Sequence, residues 1–150
     1  MSATELRYAI LAAQREGNRQ LARALAPLDV TPSQAEVITV LADYGPITLK
    51  GLGSLLVCES GSPSRLVDSL VKRGLVDRID TPVDRRQVLL QLTKEGRRLR
   101  PHVEAAEATI DANLRDVFGD ELVRDIVQQI RKFLAGSNVG AALTRRFNGK

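Results

Sequence analysis

Arg65-Leu66-Val67-Asp68-Ser69-Leu70-Val71-Lys72-Arg73-Gly74-Leu75-Val76-Asp77-Arg78 is the stretch on which the fold turns. Its first half places Leu66, Val67, Leu70 and Val71 at the spacing of one helix face. Gly74 closes that helix, because glycine accepts the left-handed conformation that follows a helix C-terminus. Beyond it the period changes to two. Residues 75–79 and 87–92 read as strands, and Val88, Leu90 and Leu92 alternate towards a core. Between them, Asp80-Thr81-Pro82-Val83-Asp84-Arg85-Arg86 is a polar loop, too long for a two-residue hairpin turn.

Upstream, the pattern predicts three more helices. Leu6, Ile10, Ala13, Gly17, Leu21, Leu25 and Leu28 recur at intervals of three and four, which gives a helix over 4–26 stopped by Pro27. Thr31-Pro32-Ser33-Gln34 starts the next: Thr31 caps, Pro32 stands where a missing N–H costs nothing, and Gln34 completes a capping box. Val37, Ile38 and Leu41 form its apolar face, and Tyr44-Gly45-Pro46 ends it. A short strand precedes a third helix that begins after Thr48 and buries Leu49, Leu52, Leu55 and Leu56. Gly51 and Gly53 weaken it by about 1 kcal/mol each relative to Ala, so packing has to hold it. Cys58-Glu59-Ser60-Gly61-Ser62-Pro63-Ser64 is a polar turn into the fourth.

Downstream, Thr93 caps a long helix over roughly 94–117, with a kink expected at Pro101. Asp120 begins a last helix with Leu122, Ile126, Val127, Ile130, Phe133 and Leu134 on one face. Gly136, Ser137, Asn138 and Gly140 make 136–150 read as a loose tail.

The predicted fold class is mainly α with a small β part. It is one domain over 1–150, holding a winged helix-turn-helix over 31–93 with a two-stranded wing. Helices at 4–26 and 94–135 flank it. They carry more apolar face than a small winged helix can cover, and a two-fold dimer would bury it.

The composition excludes several classes. The 150 residues are 43% hydrophobic and 27% charged, which suits a single globular domain. No apolar run reaches 18 residues and the N-terminus lacks a basic start with an apolar core, so neither a membrane partner nor a secretory signal is expected, and a cytoplasmic location follows. Cys58 is the lone cysteine and His102 the lone histidine. Together they leave no metal set, no cofactor motif and no recognisable nucleophile–base pair, so an enzyme is not expected.

The net charge of +4 is unevenly spread: residues 60–100 hold ten basic side chains against five acidic ones. A basic segment in an otherwise near-neutral chain suits a polyanion-facing surface. A helix fits the major groove of DNA, and its first turns reach base edges. Here those turns carry Ser60, Gly61, Ser62, Pro63, Ser64 and Arg65. The small residues permit close approach, and the free N–H groups at the helix start attract phosphate. A bidentate grip of Arg65 on guanine would be worth about 1–3 kcal/mol of discrimination. Arg85 and Arg86, beside Asp84, suit a narrow minor groove where negative potential concentrates. Lys50, Lys72, Arg73 and Arg78 are candidate phosphate contacts and equally candidates for ordinary surface charge or a local ion pair; Arg97, Arg98 and Arg100 open the long helix and suit either DNA or solvent.

With these motifs the chain resembles the MarR family of transcriptional regulators. The resemblance rests on 28–35, on 65–78, and on Asp84-Arg85-Arg86 with Leu92-Thr93-Lys94-Glu95-Gly96. It implies a homodimer on a pseudo-palindromic double-stranded DNA site, with recognition helices about 34 Å apart. It assigns minor-groove reading to Arg86 and makes Asp84 an orienting residue. It also implies repression relieved by a small phenolic or carboxylate effector, or by thiol oxidation. Tyr8, Tyr44 and His102 are the polar rings available to an effector pocket, each equally suited to packing. Cys58 is a redox candidate, although Glu59 opposes a thiolate there and the family's redox cysteines generally sit near the first helix. A winged-helix module for protein partners, without DNA binding, is the rival class.

Overall fold

The computed structural model describes residues 1–58, 62–84 and 86–148. Helix α1 (Ala3–Leu25) ends in a 3-10 turn (Ala26–Leu28) and is followed by α2 (Pro32–Tyr44). Strand β1 (Ile47–Thr48) then leads to α3 (Leu49–Gly53), α4 (Pro63–Lys72) and the hairpin β2 (Val76–Asp80) and β3 (Val88–Leu92). Helices α5 (Lys94–Phe133) and α6 (Asn138–Phe147) complete the chain. Threonine starts α2, α3 and α5. Thr31 Oγ1 accepts the Gln34 N–H at 3.2 Å while Gln34 Oε1 accepts the Thr31 N–H at 3.0 Å, the reciprocal capping box expected. Thr48 and Thr93 cap α3 and α5 through the Gly51 and Gly96 N–H groups, each at 3.0 Å.

The sheet is antiparallel, in the order β1-β3-β2. Ile47 lies opposite Leu90, and the hairpin runs in register from Val76 opposite Leu92 to Asp80 opposite Val88. Helix α2 is the centre of the core: Ala35, Val37, Ile38, Val40 and Leu41 are all buried, against Leu52, Val67, Leu70 and Leu92 among others. A Cβ at Gly96 would stand 2.2 Å from the Leu75 carbonyl oxygen, so glycine is what lets the first turn of α5 rest on the strand start. Of the three alternating residues expected to face the core, Leu90 and Leu92 are buried and Val88 is not; it lies at the outer end of β3, where the hairpin projects past the core.

Helical backbone angles run through Pro101, and the interruption of α5 falls at Gly119 (φ 71°, ψ 159°), between the two long helices anticipated. A second expectation needs correction. The tail is not loose within 138–147. Ser137 caps α6 through the Gly140 N–H at 3.0 Å, Ala142 is buried, and the Tyr44 hydroxyl donates to the Arg146 carbonyl at 3.1 Å. The glycine, serine and asparagine that suggested a loop are punctuation between helices: at Gly140 a Cβ would meet the Leu134 carbonyl oxygen at 2.3 Å.

The outer helices differ from this core. Along α1 only Leu25 is buried, and Leu6, Tyr8, Ile10 and Leu11 are exposed. The far part of α5 exposes Leu114, Val117, Phe118, Leu122, Val127, Ile130 and Phe133. No helix among the described residues is long and apolar enough to cross a membrane.

Candidate nucleic-acid interface

Helix α4 is seated by Val67 and Leu70, both buried, and pinned to α2 where Gln34 Nε2 donates to Ser69 Oγ at 3.1 Å. Pro63 occupies its first turn after Ser62, whose hydroxyl lies 2.8 Å from that of Ser64. Ser64 and Arg65 are exposed, and the Arg65 guanidinium has no partner among the described residues. Ser60, Gly61 and Arg85 lie outside the described residues.

The wing tip is organised by Asp84. Its carboxylate accepts the Arg86 N–H at 2.9 Å, and its carbonyl accepts the Thr81 hydroxyl at 2.6 Å and the Gln87 N–H at 3.0 Å. The aspartate thus shapes the turn by binding its own backbone two residues on. The Arg86 side chain is exposed and without a partner among the described residues. Asp84 therefore orients the backbone beneath Arg86 rather than its guanidinium.

The other cations divide into two kinds. Lys50 and Lys72 are exposed. Arg78 is paired with Asp68 of α4, and Arg73 donates to the Asp29 and Leu28 carbonyls with the Asp29 carboxylate 3.7 Å away. Arg73 is thereby a tie between α4 and the turn before α2, and Arg78 neutralises an acid on the outward face of α4. Arg97 donates to the Leu92 carbonyl at 2.6 Å, Arg98 pairs with Glu95 at 2.5 Å, and Arg100 bridges Asp43 at 2.6 Å and Glu104 at 3.0 Å.

The three polar rings are not brought together. Tyr8 is exposed on α1 under the Arg7 guanidinium, His102 is exposed on α5, and Tyr44 fastens α6. None lines the open cavity of about 1150 Å³ that lies between α1, α2, the 53–58 segment and α6, with Leu21, Glu36, Cys58, Glu107, Leu143 and Arg146 on its walls. Burial and the neighbouring Glu36 carboxylate push the Cys58 thiol up to about 11, the opposite of a thiolate primed for oxidation.

Two residues of consequence escaped the sequence reading. Glu36 sits within an apolar run of α2, and its two oxygens accept the Val57 and Cys58 N–H groups at 2.7 and 2.8 Å. Arg146 of α6 pairs with the same carboxylate. The signal was present: a lone acid flanked by core positions needs a partner. That partner lay in the segment taken for a tail.

The MarR family model matches residues 30–88. The uncharacterized HTH-type transcriptional regulator YhbI of Bacillus subtilis is 35% identical over 113 residues, covering 75% of this chain and 70% of that one. The multiple antibiotic resistance protein MarR of Salmonella typhimurium is 35% identical over 79 residues, 53% of this chain and 55% of its own, so the chain spans about half the length of this curated relative. Among solved structures, a mutant of MarR from E. coli complexed with operator DNA superposes with a TM-score of 0.79 at 27% identity, covering 87% of this chain and 94% of that one. The transcriptional repressor CouR bound to a 23-mer DNA duplex gives 0.75 at 27% identity, over 87% and 92%.

Proposed function

Because the chain belongs to the MarR family, whose members are transcriptional regulators and not enzymes, we propose that it binds double-stranded DNA sequence-specifically as a homodimer in the cytoplasm. The observation that carries this is the pair of guanidiniums without a partner among the described residues, Arg65 at the start of α4 and Arg86 at a wing tip shaped by Asp84. Most other arginines of the basic segment are held by partners within the chain. Arg65 reads the major groove with Ser62 and Ser64 at its side, Arg86 enters the minor groove, and Lys50 and Lys72 face phosphate. The exposed apolar faces of α1 and α5 meet their copies across a two-fold axis and set the spacing of the two reading heads. Repression, relieved by a small phenolic or carboxylate effector in the cavity between α1, α2 and α6, is the regulatory form this reading takes.

Selection of duplexes from a random pool tests it. The recovered sequence should bind with an affinity that falls steeply with salt. Arg65→Ala and Arg86→Ala should each weaken binding by about 1–3 kcal/mol without unfolding the chain. A chain that enriches no sequence, or that binds a protein partner through α4 instead, would replace this reading with the protein-interaction module.

A further inference from the structure

One carboxylate joins three elements behind the reading helix. Glu36 projects from α2 with its side chain only 13% exposed. Its Oε1 accepts the Val57 N–H and its Oε2 the Cys58 N–H, so both oxygens hold the segment that leads into α4. Arg146, 15% exposed, closes on Oε1 from the last turn of α6. That turn is fastened in its own right: the Tyr44 hydroxyl donates to the Arg145 and Arg146 carbonyls at 3.3 and 3.1 Å, and Arg145 donates to the Ser54 carbonyl at 3.1 Å.

We propose that Glu36 is a positioning residue for the DNA-reading helix, and that α6, by docking Arg146 on it, sets how firmly the helix is held. The inference rests on the DNA-binding reading above. Hydrogen bonds to an ionised acceptor are about twice as strong as neutral ones, so two of them fix the 57–58 backbone where a neutral side chain would leave it loose. A carboxylate so little exposed also needs its cation. When α6 leaves, Glu36 is drawn towards water, both N–H groups lose their acceptor, and the Val57–Cys58 backbone ahead of α4 samples more conformations. Apparent affinity for DNA then falls with the fraction of molecules whose reading helix is in place. The C-terminal helix is thus coupled to the reading head although it touches no groove.

The test compares the full chain with Glu36→Gln, Arg146→Ala, Arg146→Lys and the Glu36→Gln/Arg146→Ala pair, on the duplex recovered by selection. Glu36→Gln should weaken binding about tenfold and Arg146→Ala several-fold, with Arg146→Lys restoring most of the loss. The pair should bind no worse than Glu36→Gln alone, because both changes break one link. The slope of affinity against salt should match the parent's, whereas removing a phosphate contact lowers it by about one. Native-state hydrogen exchange should show the Val57 and Cys58 amides losing protection in Glu36→Gln and in Arg146→Ala while the Leu70 amide keeps its own. Should Glu36→Gln fail to fold, Arg146→Ala against Arg146→Lys still decides. Folded variants that bind like the parent, or exchange at Val57 and Cys58 unchanged by Arg146→Ala, overturn the proposal. A parent that binds no duplex while Arg146→Ala still frees those amides overturns the DNA reading instead, leaving the link between α6 and the lead-in standing without its function.

Discussion

Helix α2 and the far half of α5 are both rich in apolar residues, yet their fates are opposite. Val37 and Ile38 are fully buried, whereas Val117 is 74% and Phe133 83% exposed. The first helix finds every neighbour it needs within the chain: α4, the sheet and the near part of α5 surround it. The second is left largely uncovered among the described residues: Leu114 to Phe118 include three exposed apolar side chains, and Val123 and Ile126 are only half-buried. A hydrophobic period announces a face to be covered; it does not say whether the cover is the same chain or another copy.

The contrast can be broken most directly by truncation at matched positions. Ile38→Ala should cost about 2–5 kcal/mol in urea unfolding at any protein concentration. Val117→Ala should cost under about 0.5 kcal/mol in dilute solution, as exposed substitutions do, and more as concentration rises and the face becomes covered. Equal costs for both in the dilute monomer would show that the far half of α5 is covered within one chain. Charges placed on that face come next in size. Val117→Glu with Val127→Glu should weaken dimerisation by about 2 kcal/mol or more, read by light scattering as a shift to monomer, with the secondary structure of the winged half intact. A doubly substituted chain that remains dimeric would place the interface elsewhere.

A third substitution probes how tightly the winged half closes on itself. Gly96→Ala drives a Cβ into the Leu75 carbonyl, so it should destabilise by about 1–3 kcal/mol in thermal unfolding, although alanine is the better helix former. A neutral or stabilising outcome would mean that α5 can lift from β2 without loss. It also explains why the Leu92-Thr93-Lys94-Glu95-Gly96 motif ends as it does: Thr93 caps through the very N–H that glycine brings close to the strand.

The winged half was legible because its signals are local. Thr31 and Gln34 cap each other within four residues, Gly74 (φ 71°) ends α4, and the change of period at 75 follows at once. The Asp84 carboxylate likewise makes a local contact, with the Arg86 N–H two residues on. What was illegible depended on distance along the chain. Glu36 and Arg146 are 110 residues apart, and Tyr44 reaches α6 across 102. For Arg73 and Arg78 the sequence left phosphate contact and local ion pair open, and Asp29 and Asp68 meet them in the folded chain. Pro101 was legible as a residue inside the 94–117 helix, and helical backbone angles run through it.

Cys58 gives the finest discrimination between a self-covered region and an uncovered one, because its thiol reports on the Glu36 seat. Folding holds that thiol near a value of about 11 against an ordinary 9.0, through burial first and the adjacent carboxylate second. The native state therefore keeps its proton more tightly than the unfolded chain. The stability this contributes is complete below about pH 9 and is lost as pH rises from 9 towards 11, as the unfolded chain ionises first. Since the thiolate is the reacting species, iodoacetamide at pH 8 should label the native chain about a hundredfold more slowly than the same chain in urea. Labelling at the unfolded rate would mean that the 57–58 segment is open in solution, and that the winged half is less closed than its core implies. Because Arg146 meets the same Glu36 oxygen that accepts the Val57 N–H, α6 and the thiol report on one seat. Arg146→Ala should therefore speed labelling at Cys58, while Val117→Ala, on the uncovered helix, should leave it unchanged.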